Sequence, residues 1–282
     1  MDIEHLKVKY IPKIIGSGLN TMGLLAPNRA VSIALDIFRT PRKGKVEPYQ
    51  KKFLKNFKQV ELSFDNMSVA TYDNGKSGQK ILLCHGWESN SYRWRKLYRE
   101  LNKHNYNIIL LDAPAHGASG SDKFDGKIYA GFINAAFNHY KPEILIGHSV
   151  GAYSAIYAMS EYKPKSIQKV VILASPDKLI DISERYFNMI GLNTRLRKKY
   201  FTKIETMFGM PANFYNAADF AKDIRVEGII IHDKGDTINL YYEAEAIHQS
   251  WPKSRLISTS GLGHSLQDES VYNIVLDYIS YG

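Results

Sequence analysis

Hydrophobic positions along the chain alternate between short continuous apolar runs and longer stretches with helical spacing. The runs Ile81-Leu82-Leu83-Cys84, Glu143-Ile144-Leu145-Ile146, Lys169-Val170-Val171-Ile172-Leu173-Ala174 and Val226-Glu227-Gly228-Ile229-Ile230-Ile231-His232-Asp233 are strand-length and nearly unbroken, as expected of strands buried on both faces. Ser254-Arg255-Leu256-Ile257-Ser258-Thr259 reads as a last strand. Between them, residues 129–140 and the stretch 88–104, with Trp94, Leu97, Tyr98 and Leu101, place apolar side chains at helical intervals. This alternation predicts an α/β fold with a mostly parallel central sheet flanked by helices. Two earlier strands, 59–64 and 68–73, are joined by Asp65-Asn66 and predict an antiparallel hairpin.

Two regions fall outside this pattern. Residues 176–225 separate two core strands by far more chain than a crossover helix needs, and they read as a small helical lid inserted into a domain spanning 59–282. The insertion carries Tyr186, Phe187, Met189, Tyr200, Phe201, Met207, Phe208, Met210, Phe214 and Tyr215, which wall an acyl pocket or form the lid's own small core, and a basic knot at Arg195-Leu196-Arg197-Lys198-Lys199. Residues 1–58 form a helical extension. They hold twelve lysines and arginines against four acids, so nearly the whole formal charge of +9 lies there. Their apolar stretches, 11–25 and 30–38, are interrupted by Pro12, Pro27 and Pro41 and are too short to span a bilayer. Such a segment suits either docking on the protein's own surface or peripheral contact with an anionic membrane.

The chemistry centres on Gly147-His148-Ser149-Val150-Gly151, placed directly after a strand and before the helix-forming run 152–159. A serine on a tight strand-to-helix turn needs small residues two positions away on either side, so that strand and helix can pass closely. Ser149 is the candidate nucleophile. Serine is weak near neutral pH and requires a histidine to take its proton and a carboxylate to orient that histidine. His264 follows the last strand in Gly261-Leu262-Gly263-His264, and Asp236 lies in the loop after the strand ending at Asp233. Asp177, after 169–174, is the second choice for the acid, while Asp233 reads as a turn cap. An oxyanion hole needs two backbone N–H donors: Val150, which follows the nucleophile, and Trp87, in the loop after 81–84. Gly86 and His148, next to these groups, are the candidate substrate-binding positions, and His85 reads as structural.

The ordered set His85-Gly86-Trp87, Asp112-Ala113-Pro114-Ala115-His116-Gly117-Ala118-Ser119, the serine pentapeptide, Asp236 and His264 resembles the α/β-hydrolase superfamily from about residue 60 to the C-terminus. Ala115 stands where a glycine is common. The resemblance implies the α/β-hydrolase fold and hydrolysis of a carboxylic ester or thioester through an acyl-enzyme intermediate, without metal or organic cofactor. Phe38-Arg39-Thr40-Pro41-Arg42 is similar to a motif closing the helical preface of some bacterial members, with no role attached to it.

Composition narrows the alternatives. A chain of 282 residues with 44% hydrophobic content suits one large core plus additions. The single cysteine, Cys84, allows no internal disulfide and reads as a buried side chain. No metal-ligand spacing and no secretory signal pattern occur, so a cytoplasmic location is the expectation, with membrane association left to the basic segment. The basic charge accompanies no recognisable nucleic-acid module. Two other classes stay open: a non-catalytic ligand-binding protein of the same fold, and a membrane adaptor using residues 1–58.

Overall fold

The structure, a computed structural model, describes residues 3–281 and the side chains of residues 10–280. In chain order it runs α1 (Ile3–Leu25), α2 (Pro27–Arg39), α3 (Pro48–Leu54), β1 (Lys58–Phe64), β2 (Met67–Asp73), β3 (Lys80–Cys84), α4 (Arg95–Leu101), β4 (Asn107–Leu111), α5 (Gly126–Tyr140), β5 (Ile144–His148) and α6 (Val150–Tyr162). It continues with β6 (Lys169–Leu173), α7 (Leu179–Ile190), α8 (Thr194–Phe208), α9 (Ala217–Ala221), β7 (Glu227–Asp233), α10 (Tyr241–Ser250), β8 (Ser254–Thr259) and α11 (Glu269–Tyr281). Contacts divide the chain into two units: residues 41–177 with 217–282, and residues 1–40 with 178–216.

The larger unit is built on one eight-stranded sheet of order β1-β2-β4-β3-β5-β6-β7-β8. β1 and β2 form the antiparallel hairpin, with Phe64 opposite Met67 and with Asp65 and Asn66 both at positive φ, the conformation a two-residue hairpin turn demands. β2 meets β4 antiparallel, and every later pairing is parallel. Alternate side chains of the central strands, Ile81, Leu83, Ile108, Leu110, Ile144 and Ile146 among them, share one core with Trp94, Leu97 and Leu101 around α4 and Val271, Val275 and Ile279 of α11. The intervening residues, such as Leu82, Ile109, Leu145 and Ile172, are fully buried on the opposite face, where α5 and α6 touch β3. With roughly 1.5–3 kcal/mol gained per aliphatic side chain removed from water, this two-sided burial fixes the strands and therefore the loops at their ends. The sequence-based boundary near residue 58 differs from the observed one at Pro41, because Leu54 of α3 and Phe57 are buried in this same core.

In the smaller unit, α1 and α2 pack with α7 and α8 around Leu19, Val31, Leu35, Phe187, Leu196 and Tyr200. A methyl group at Gly16 would meet the Ile190 carbonyl oxygen at 1.7 Å, so α1 and α7 approach closely there. The Tyr186 hydroxyl donates to the Ala34 carbonyl at 2.9 Å, and Phe38 lies against the Tyr186 and Tyr200 rings. Of the insertion's aromatic and methionine side chains, Tyr186, Phe187 and Tyr200 belong to this core, whereas Met189, Met207, Met210 and Phe214 are exposed. Pro27 starts α2 and Pro41 follows its end, as the sequence suggests, but α1 runs through Pro12. A proline removes one helical hydrogen bond and leaves the rest of the helix able to form.

Candidate active site

Ser149 occupies the turn between β5 and α6 at φ 55°, ψ −129°, a conformation that costs a non-glycine residue about 1–3 kcal/mol and persists only where its surroundings dictate it. Those surroundings are tight. A Cβ at Gly147 would stand 2.6 Å from Ala152 Cα, and one at Gly151 would stand 2.3 Å from the His85 carbonyl oxygen. The Ser149 N–H donates to the Leu173 carbonyl at 2.9 Å, which ties the turn to β6.

Parallel strands deliver the partners. Asp236 follows β7 and His264 follows β8, so both lie with Ser149 beyond the carboxyl ends of the sheet, where such sheets place their sites. His264 Nδ1 is 2.8 Å from Asp236 Oδ2, and its Nε2 is 3.1 Å from Ser149 Oγ. The carboxylate can only accept, so Nδ1 carries the proton and Nε2 presents a lone pair to the serine hydroxyl. Asp236 is buried, and burial alone would raise its pKa. Hydrogen bonds from His232, His264 and the Ile238 N–H outweigh that effect and hold it well below the usual carboxylate range. The acid is therefore ionised when His264 takes a proton.

Asp177 lies elsewhere, its carboxylate accepting the Ala218 N–H at 2.8 Å. Asp233 accepts from the Gly235 N–H, the Thr259 hydroxyl and the Leu262 N–H, so it joins the loop after β7 to the loop that carries His264. Burial opposes its ionisation, but those bonds hold its carboxyl below the ordinary range.

The loop after β3 closes on the serine turn. A Cβ at Gly86 would be 2.9 Å from Ser149 Cβ and 3.0 Å from His148 Nδ1, so only glycine permits this approach. Trp87 comes next. Among the described residues the backbone N–H groups of Trp87 and Val150 have no acceptor within the protein, and Val150, the first residue of α6, has none within its helix. His148 is buried, and its Nε2 donates to the His264 carbonyl at 2.9 Å, so the ring is engaged in holding the His264 loop. Burial keeps that imidazole neutral, its pKa well below the ordinary histidine value.

Two further imidazoles fix the Trp87 loop from beneath. His85 Nδ1 donates to the Gly86 carbonyl and its Nε2 accepts the Ala113 N–H; His116 Nδ1 donates to the Pro114 carbonyl and its Nε2 accepts the Glu88 N–H. Each ring therefore works as a neutral donor and acceptor, and burial lowers both pKa values to about 4. Ala115, where glycine is common, has φ 64°.

Three contributors are not apparent from the sequence. His232, on β7, brings Nε2 to 2.9 Å from the Asn239 carbonyl and 3.4 Å from Asp236 Oδ2. Arg93 Nη2 donates to the Ser265 carbonyl at 2.6 Å, beside His264. Arg42 forks onto Glu88 through Nε and Nη2 at 2.8 and 3.0 Å, gripping the residue after Trp87. The only sequence signals are the four-residue offset of His232 from Asp236 and the Pro41-Arg42 pair of the preface motif. Among the described residues no three histidine, cysteine or acidic side chains cluster as a metal site, and no helix is long and apolar enough to cross a membrane.

A family model described as alpha/beta hydrolase fold matches residues 80–193, the stretch that holds the Trp87 loop and the serine turn and stops before Asp236. A Mycoplasma genitalium protein whose name marks it as a candidate esterase/lipase is 32% identical over 100 residues, 34% of this chain and 36% of that protein. The chain spans between 24% and 46% of the length of the curated relatives it matches. Among solved structures, the Pyrococcus furiosus esterase Pf2001 superposes with a TM-score of 0.62 at 24% identity, covering 86% of this chain and 95% of its own. An esterase from Exiguobacterium antarcticum gives 0.61 at 17% identity, over 79% of this chain and 99% of its own. At these identities the structural likeness is one of fold.

Proposed function

We propose that this chain, which has the α/β-hydrolase fold and matches that family's model over residues 80–193, is a serine hydrolase cleaving a carboxylic ester or thioester through an acyl-enzyme intermediate. The carrying observation is the continuous path from Asp236 Oδ2 through the His264 ring to Ser149 Oγ, with hydrogen-bond lengths of 2.8 and 3.1 Å. Ser149 Oγ attacks the acyl carbon as His264 Nε2 takes its proton. The N–H groups of Trp87 and Val150 receive the charge on the carbonyl oxygen, an arrangement in which each donor is worth about 3–4 kcal/mol. His264 returns the proton to the leaving group. Water, activated by the same ring, then releases the acid and restores Ser149.

Turnover of p-nitrophenyl esters from acetate to palmitate, in wild type, Ser149→Ala and His264→Ala, tests this. We expect hydrolysis in wild type and its loss in both variants. Absence of both turnover and fluorophosphonate labelling of Ser149 would replace the reading with a ligand-binding role.

A second property concerns α1, which leaves Ile11, Ile14, Leu24 and Leu25 exposed. With Lys7, Lys9 and Lys13 in the same helix, this pattern supports peripheral contact with an anionic membrane. Sedimentation with phosphatidylserine vesicles that weakens in salt is the expected result; equal recovery with neutral and anionic vesicles would dismiss it.

A further inference from the structure

A groove of about 590 Å³ lies in the larger unit between the segment that begins at Pro41 and the 88–95 loop. Its walls are the sequence neighbours of the site: Glu88 follows Trp87, and Gln267 lies three residues beyond His264. Its charge is one-sided. Lys43, Lys45, Arg93 and Arg95 line it, and among the described residues none of the four has a carboxylate within ion-pair distance. The acids of its lining are Glu47 and Glu88, and Glu88 is committed to the Arg42 fork. Arg93, which also lines the groove, has an unmet donor. Its Nη2 is bonded to Ser265, but its Nε is buried with no hydrogen-bond partner. A buried guanidinium N–H left unpaired is costly, and an oxyanion is the group it fits best.

The number of cations decides the class of anion. With Glu47 counted against the four cations the wall carries a net three positive charges; a monocarboxylate would balance one of them, whereas a phosphate or diphosphate presents several acceptor oxygens and two or more charges to the same wall. We propose that this groove binds the phosphate-bearing leaving group of the substrate while the acyl carbon lies at Ser149. The assignment rests on the hydrolase reading above, and it gives part of the basic N-terminal segment a task at the site. In the reaction the acyl bond to the leaving group breaks, the leaving group departs with the proton from His264, and its phosphate charge is unchanged throughout.

Coenzyme A, which carries a diphosphate and a terminal phosphate, is a suitable probe. Calorimetric titration into the full-length Ser149→Ala protein measures binding without turnover. We expect saturable binding that weakens with salt and falls at least tenfold in Lys43→Glu/Lys45→Glu/Arg95→Glu, with the triple glutamine variant intermediate. No binding, or equal binding by the charge-reversed protein with its fold intact by circular dichroism, overturns the proposal. A kinetic arm compares octanoyl-coenzyme A with the octanoyl thioester of N-acetylcysteamine, which has the same scissile bond and no phosphate. Wild type should prefer the phosphorylated thioester at least tenfold in kcat/KM. The charge-reversed protein should lose that preference while the neutral thioester is cleaved at the wild-type rate. Charge-dependent binding with no turnover of any ester would overturn the hydrolase reading, and the leaving-group role with it, while leaving a phosphate site.

Discussion

Acid should loosen the Trp87 loop before it protonates the carboxylates of the site. The perturbation is a drop from pH 7 to pH 5, with His116→Gln as the control. Burial, then for His116 the charge repulsion of His85, lowers both imidazole pKa values to about 4, against 6.5 for the exposed side chain. Between those values the unfolded chain binds protons that the folded chain excludes, so stability falls as pH falls, and the loss is complete only below the folded value. For one ring moving from 6.5 to about 4, the linkage relation gives roughly 2 kcal/mol lost between pH 7 and pH 5, and roughly 3–4 kcal/mol for the two together. Urea unfolding followed by circular dichroism at pH 7, 6 and 5 measures it. His116→Gln should cost about 1–2 kcal/mol at pH 7 through its altered hydrogen bonds, but it should lose roughly 2 kcal/mol less than wild type on acidification. A variant with the wild-type pH slope would refute the argument that His116 is held neutral.

Other consequences are simpler to check. Ala115 sits at φ 64°, so Ala115→Gly should relieve about 1–2 kcal/mol of backbone strain, less about 0.4–1 kcal/mol of added unfolded-state entropy, and raise the thermal midpoint. Asp236→Asn should lower kcat by on the order of 10³–10⁴ by upsetting the His264 tautomer, while Asp177→Asn, whose carboxylate accepts the Ala218 N–H instead, should leave kcat within about tenfold. For the Arg42–Glu88 fork, burial opposes ionisation of Glu88 and the Arg42 hydrogen bonds overcome it. Arg42→Ala should therefore be less stable than Arg42→Ala/Glu88→Gln, because only the single variant leaves a half-buried carboxylate unpaired; a double-mutant cycle by chemical denaturation reads the difference.

Local patterns made much of the larger unit legible. β3, β5, β6 and β7 carry continuous apolar runs, β8 is a short mixed strand before a glycine turn, and the serine turn, Asp236 and His264 follow from the residues that such loops must carry. β4 is absent from the sequence-based elements, because five residues between polar stretches carry little periodic signal, although Ile108, Ile109, Leu110 and Leu111 are wholly buried. Its charge places the segment 41–58 with the N-terminal extension, whereas Leu54 and Phe57 join the larger core. Ion and hydrogen-bond partners distant in sequence were not legible either. Arg93 and Ser265 are 172 residues apart, and nothing in either neighbourhood names the other.

The discontinuity of the smaller unit has a consequence for synthesis. α1 and α2 are synthesised before α7 and α8, and the Tyr186 that bonds Ala34 follows it by 152 residues. At about 5–20 residues per second, that interval is roughly 8–30 s. Throughout it Leu19, Val31 and Leu35 have none of the α7 and α8 side chains that later bury them. The nascent chain thus carries two helices whose apolar faces are unsheathed while the parallel sheet behind them is still being made, a surface for chaperones that shield apolar side chains until α7 and α8 emerge.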